Sequence, residues 1–298
     1  MASSPAVSAV SDWTARLRLL LAASLVWAGL HFTVGATFFR GGPDRPIVLA
    51  AVSPLGGISV ALAFTVAAAL AAVVAGGPDA RRALFALGLG AAAWVFERGG
   101  TGGTMDKWLV LVHERPGPAN AAPYWPLLLD YLYLAIGLTG AYVAASFVAA
   151  RLADGQPATG TAGPRAAVQD RQSAAASLAT VLIVSGLVIV LATGPATFVT
   201  LRGQVYFAVA VGFILGVYVA GKLSPVRPLA WLWPTPIVLG VIGVLVAIWS
   251  PALMLPEPYR QQDVIPAWGL VRPLPIEMVS VGIAALCASL KPKHAGRH

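Results

Sequence analysis

The sequence predicts an all-α fold, a polytopic bundle of about eight transmembrane helices, and three observations carry that expectation. Of the 298 residues, 58% are apolar and only 11% are charged, against roughly 45–50% and about 25% in soluble domains. The apolar residues gather into runs close to the ~20 residues that a helix needs to cross a hydrocarbon core of about 30 Å. The 31 glycines and 23 prolines interrupt those runs and do not form polar low-complexity tracts, which excludes disordered and collagen-like chains. A water-soluble globule is excluded by the same composition. Cys287 stands alone in an apolar run, so no intramolecular disulfide and no thiolate metal site is expected.

Eight stretches read as spans: Leu17 to Phe39, Pro54 to Ala75, Ala80 to Phe96, Trp125 to Ala150, Leu178 to Phe198, Val205 to Leu223, Pro234 to Trp249 and Leu274 to Leu290. The third, seventh and eighth are short and need flanking residues or a thinned bilayer. Arg16 and Arg18 precede the first run as they would in a signal peptide. That run is too long for a signal h-region and lacks a small-x-small cleavage site, so it reads as a retained helix.

Counting bases over alternate connections gives the orientation. One side holds Arg16, Arg18, Arg81, Arg82, Arg151, Arg165, Arg171, Lys222, Arg227, Lys291, Lys293 and Arg297; the other holds Arg40, Arg45, Arg98, Lys107, Arg115, Arg202, Arg260 and Arg272. The richer side is cytoplasmic by the positive-inside rule, so the chain is expected in a cell's inner membrane with both termini in the cytoplasm. The formal charge of +8 is accounted for by topology and anionic lipid. No basic, aromatic-studded helix points to nucleic acid.

The stretch 151–173, RLADGQPATGTAGPRAAVQDRQS, is a linker by composition. It divides a first half, residues 1–150, from a second, residues 174–298. Each half closes with a long outer connection rich in proline and aromatics, then a last helix entered through proline with an acid just inside. Aligning Pro126 with Pro273 sets Asp130 opposite Glu277, the pattern of a 4+4 parallel repeat. The outer connections 97–125 and 250–273 are expected to pack together as a cap. Gly212 and Gly216, and more weakly Gly137 and Ala141, mark close helix contacts. Trp94, Trp108, Trp125, Trp249 and Trp268 fall near the outer interface and Trp231 and Trp233 near the inner one, as aromatic belts do.

Ionisable side chains inside a bilayer are functional candidates because each is expensive to place there. Asp130 and Glu277 read in two ways: as paired carboxylates on one cavity that hold a cation or relay a proton, or as groups stabilised at a helix N-terminus or by an arginine. His31, in WAGLHFTVG, is a metal ligand, a proton carrier or a packing histidine. The outer connection gathers Glu97, Arg98, Asp106, Lys107, His113, Glu114 and Arg115 around an amphipathic stretch that suits the interface. Adjacent His113 and Glu114 point apart on a helix, so they do not make one metal site by themselves. GGTGGT, Gly99 to Thr104, reads as a turn because no lysine follows it, and no nucleotide-binding or hydrolase motif occurs.

With these residues in place, the first half resembles the A subunit of the particulate methane and ammonia monooxygenases. The matching points are His31-Phe32, Phe38-Phe39 followed by Asp44-Arg45, Pro54 at the second span, Trp94 and Arg98 closing the third, and Leu129-Asp130 entering the fourth. They cover residues 11–150. The family's Asp- and Trp-rich segment is reduced here to FFRGGPDRP, and the second half has no counterpart. The resemblance implies a subunit of a copper-dependent oxidising membrane complex, supporting a site carried by another chain. LRLLLAASLVWAGL, Leu17 to Leu30, and the four-plus-four organisation are also similar to the DoxX-type four-helix membrane proteins.

The sequence therefore leads to an integral subunit of a membrane redox complex with little chemistry of its own, in contact with lipid and other membrane subunits. A carrier with coupling carboxylates and a membrane scaffold or assembly factor are the competing classes.

Overall fold

The computed structural model describes residues 5–35, 47–52, 54–76, 80–98, 105, 108, 124–152, 164–193, 201–223, 229–249 and 269–290, the side chains of 5–12, 51, 52 and 164–171 aside. Among these residues the regular structure is helical throughout and no strand occurs. In chain order the helices are α1 (Pro5–Gly29), running on into a π-helical stretch Leu30–Gly35, α2 (Leu49–Val52), α3 (Pro54–Ala75), α4 (Ala80–Arg98), α5 (Trp125–Leu152), α6 (Pro164–Ala192), α7 (Arg202–Leu223), α8 (Leu229–Leu232), α9 (Thr235–Trp249) and α10 (Pro275–Ser289).

Six stretches are long and apolar enough to cross a membrane: Trp13–Gly35, Pro54–Ala75, Trp125–Leu152, Gln172–Ala192, Arg202–Leu223 and Leu229–Trp249. The expected seventh span is longer than its sequence boundaries suggested. Pro234 interrupts the helix by removing an N–H, but α8 precedes it, and Trp233 donates to the Leu229 carbonyl while Thr235 Oγ1 donates to that of Leu232. The interruption is thus bridged. Of the two remaining helices, α4 carries Arg81, Arg82, Glu97 and Arg98 at its ends, and α10 has only 15 residues.

The linker is shorter than composition implied. Helix α6 starts at Pro164, inside the stretch read as flexible, because proline is pre-set for a first helical position and the alanines after it are strong helix formers. Residues 153–163 lie outside the described residues, as does most of the expected cap. Gly269–Pro273, assigned above to that cap, is buried within the bundle.

Helix α10 organises the packing. It lies against α4 and α7 and also touches α9 and α5. From Gly269 to Ile283 every residue is buried. A helix of 15 residues is about 22 Å long, short of a bilayer core. Wrapped by protein, it needs no match to lipid, and its lead-in, a 3-10 turn at Gly269–Val271 followed by irregular Arg272–Leu274, is the kind of backbone that a membrane interior admits only where protein encloses it. Around it, α3 pairs with α5, α6 with α7, and α1 lies across α4 and α3.

Glycines set the close approaches. Gly137 faces Ala61 across the α3–α5 contact, and Gly212 and Gly216 face Ser185 and Val181 across α6–α7. Ser185 Oγ donates to the Gly212 carbonyl at 3.0 Å. An added Cβ at Gly88 would fall 2.5 Å from Ile283 and 2.8 Å from the Ser280 carbonyl, both on α10.

The aromatic-belt reading needs correcting at two positions. Trp94 and Trp108 are buried in the core, whereas Trp125, Trp231 and Trp249 are exposed as belts require. Trp94 sits one turn before the end of α4, on the face turned to the bundle interior, and periodicity within an almost wholly apolar helix cannot say which face that is.

Candidate functional site

The scarce charges of the described core gather at one end of the bundle, where α1 and α4 finish and α5, α7 and α10 begin. Three clusters make up this charged end.

The first is built on α10. Pro275 opens the helix, and Glu277 at its third position folds back so that Oε2 accepts from the Leu274 amide at 3.0 Å, half of a capping box. The other oxygen, Oε1, accepts from Arg202 Nε at 3.0 Å. Arg202 is the first residue of α7, and its Nη1 donates to the Phe96 carbonyl near the end of α4 at 3.1 Å. The guanidinium carbon stands 6.0 Å from the Phe96 ring centroid and 5.9 Å from that of Tyr206, which suits a delocalised cation over aromatic faces. Both partners are almost wholly buried, at 1% and 0% exposure. Arg272, in the lead-in, is equally buried and donates from Nη1 to the Thr193 carbonyl at the end of α6, at 2.5 Å. At the opposite end of α10, Arg81 of α4 donates to the Leu290 carbonyl.

The second cluster is Asp130, also fully buried. Its carboxylate does not cap α5. It accepts from the backbone amides of Leu49 at 2.8 Å and Ala50 at 2.6 Å, the first turn of α2. The proline alignment that set Asp130 opposite Glu277 is therefore not matched in local geometry: Glu277 lies in its helix's first turn, Asp130 a turn deeper, with different partners. Tyr131, next in sequence to Asp130, sets its hydroxyl against Gly240 of α9.

The third cluster is the most open. Trp27 Nε1 donates to Glu97 Oε2 at 2.8 Å, and His31 Nδ1 lies 3.2 Å from the same oxygen. The His31 ring is flanked by Trp27 at 5.2 Å and Phe32 at 4.9 Å. His31 and Glu97 are 24% and 43% exposed. His31 stands in the π-helical stretch, a local irregularity that often accompanies function. Gly35 closes that stretch, where an added Cβ would come within 3.0 Å of Arg98 Nη2 and 3.1 Å of Trp94 Nε1.

Sequence reasoning singled out Asp130, Glu277, His31, Glu97 and Arg98, and all five lie at this end. Asp106, His113 and Glu114 lie outside the described residues, as does GGTGGT. Arg202, Arg272 and Trp27 were not among the site candidates. The available signal was an arginine opening a span at the same end as an acid opening another, which is visible only once spans are numbered. His31 and Glu97 supply two metal donors and Trp27 none. Among the described residues no group of three or more His, Cys, Asp or Glu comes together, so these residues alone do not fit a copper site, which draws on a fuller nitrogen and oxygen set.

Six helices of this length and apolarity, packed with a buried ion pair and other buried charges at one end, define an integral membrane protein. No family model, curated protein or solved structure matches the chain.

Proposed function

We propose that this chain is a structural subunit of a larger membrane assembly, with eight crossings and both termini in the cytoplasm. The observation that carries the reading is how the intramembrane charges are used. Arg202 and Glu277 join α7 to α10, Arg272 joins the lead-in to α6, Arg81 holds the far end of α10, and Asp130 holds α2. Such groups are expensive to place in a bilayer, and here Arg202, Glu277, Arg272 and Arg81 fix the enclosed helix α10 and its lead-in while Asp130 fixes α2. On this reading α4 and α10 complete the eight crossings, the short length of α10 tolerated because neighbouring helices enclose it.

The resemblance of residues 11–150 would place the assembly among copper-dependent oxidising complexes in the inner membrane. His31 and Glu97, half-open at the rim, are where this chain would meet a neighbouring subunit. Gentle solubilisation followed by native mass measurement and metal analysis tests this: partner chains and copper travelling with the protein are expected. A single monodisperse chain free of both overturns it.

A second reading, a cation or small-molecule carrier coupled through Asp130 and Glu277, is supported by both carboxylates lying fully buried at the same end of the bundle. It requires proton- or cation-linked flux in liposomes that Asp130→Asn abolishes. Under the subunit reading no such flux appears.

A further inference from the structure

Helix α10 and its lead-in combine three features that a bilayer rejects in an isolated segment. The helix has 15 residues, too few to cross by itself. It carries Glu277 in its first turn and follows Arg272, two ionisable groups that are costly at membrane depth. Between them the backbone at Arg272–Leu274 is irregular, and lipid offers its amides and carbonyls no partner.

Each feature is answered by a group from an earlier helix. Arg202 of α7 pairs with Glu277 Oε1 at 3.0 Å, while Glu277 Oε2 accepts from the Leu274 amide. Arg272 Nη1 donates to the Thr193 carbonyl at the end of α6. Arg81 of α4 donates to the Leu290 carbonyl, one of those that a helix end leaves open. The walls fit closely too. Gly88 of α4 lies against Ile283 and Ser280, Gly243 of α9 against Leu270, and Gly282 of α10 against Phe213 of α7 and Pro236 of α9. All of these partners precede α10 in the chain, so its seat exists before it does.

We propose that α10 enters the membrane as a tertiary element, seated in a receptor already formed by α4, α6, α7 and α9, and that Arg202 is the positioning residue that admits it. Arg202 is held by contacts that do not involve α10: its Nη1 donates to the Phe96 carbonyl at 3.1 Å, and its guanidinium stands near the Phe96 and Tyr206 rings. A fixed cation thus waits where the Glu277 carboxylate must arrive, and the pairing is gained only when the helix is fully seated. The inference requires membrane insertion but not the subunit reading above.

Cys287, the one cysteine of the sequence, is buried near the end of α10 and reports seating directly. The full chain in liposomes is treated with N-ethylmaleimide and modification of Cys287 is followed by mass, with denatured protein giving the total. Cys287 is expected to be protected in the unaltered chain. Arg202→Met should speed its modification about a hundredfold or more, the factor that follows from stranding one buried charge, and Arg202→Lys by much less. Arg202→Met with Glu277→Leu should be protected again, because no carboxylate then has to be placed. Ser185→Cys on a Cys287→Ala background reports on the α6–α7 contact. It should stay protected when Arg202→Met is added, which separates unseating from unfolding. A reactive Cys287 in the unaltered chain, or undiminished protection in Arg202→Met, overturns the proposal. So does exposure of the Ser185→Cys reporter together with Cys287, or a double variant as reactive as Arg202→Met.

Discussion

Arg202 and Glu277 meet at 3.0 Å with both side chains withdrawn from the surface. The carboxylate's second oxygen is taken by the Leu274 amide, so the pair also fixes the start of α10. Opposite charges enclosed this way gain little over an apolar pair of the same volume, but separating them is costly.

That asymmetry makes a double substitution informative. Arg202→Met or Glu277→Leu alone is expected to lower stability by about 3–5 kcal/mol, because a charge is left buried without its counter-ion. The double variant should recover most of the loss. Denaturant titration in a mild detergent gives all three values, and a double variant no better than the singles would show that the pair contributes more than charge balance.

Glu97 offers a contrast within the same end of the protein. It has a histidine neighbour and an indole donor, yet it is nearly half exposed. Solvent screens such a contact, so Glu97→Ala should cost about 1 kcal/mol or less, several-fold less than Glu277→Leu under identical conditions.

Asp130 accepts two amides with two oxygens. Asparagine keeps one acceptor and loses the charge, so Asp130→Asn should cost roughly 1.5–3 kcal/mol, and Asp130→Ala more, since two buried amides then lack a partner. Loss of α2 from its place on α5 would show as faster hydrogen exchange at Leu49 and Ala50 than in the unaltered chain.

Helix contact through glycine predicts a graded series. At Gly88 and Gly90 an added methyl would meet backbone, the Ser280 carbonyl at 2.8 Å and the Ala23 carbonyl at 2.4 Å, and backbone cannot rotate away. Alanine at either position should destabilise by about 1–3 kcal/mol. Gly29 has nothing within 4 Å, and Gly29→Ala should be neutral or gain up to about 1 kcal/mol from helix propensity. Thermal melts of the three variants in one detergent rank them.

Much of the architecture was legible in the sequence because oil is an undemanding selector. Apolar runs near twenty residues declare themselves by composition, and the starts of α3 and α5 fall where Pro54 and Trp125 mark them. The α6–α7 contact was foreshadowed by Gly212 and Gly216, since small residues at four-residue spacing let backbones approach. The ends of elements were less legible: α6 begins within an Ala-rich stretch that reads equally as linker or helix, and the seventh span extends past Pro234 through bonds that composition does not reveal.

The sequence by itself determined that the protein is a membrane helix bundle with few ionisable groups, and it pointed to Asp130, Glu277, His31, Glu97 and Arg98 as the ones worth explaining. Only the tertiary structure decided which groups meet. Glu277 finds Arg202, 75 residues away, Asp130 finds the Leu49 and Ala50 amides, and α10 becomes the enclosed helix although its sequence is less apolar than that of the partly exposed α9. In a helix that is apolar on every side, periodicity does not distinguish the face that touches protein from the face that touches lipid. That choice is made by close packing and by the few polar groups that must find one another where water cannot reach.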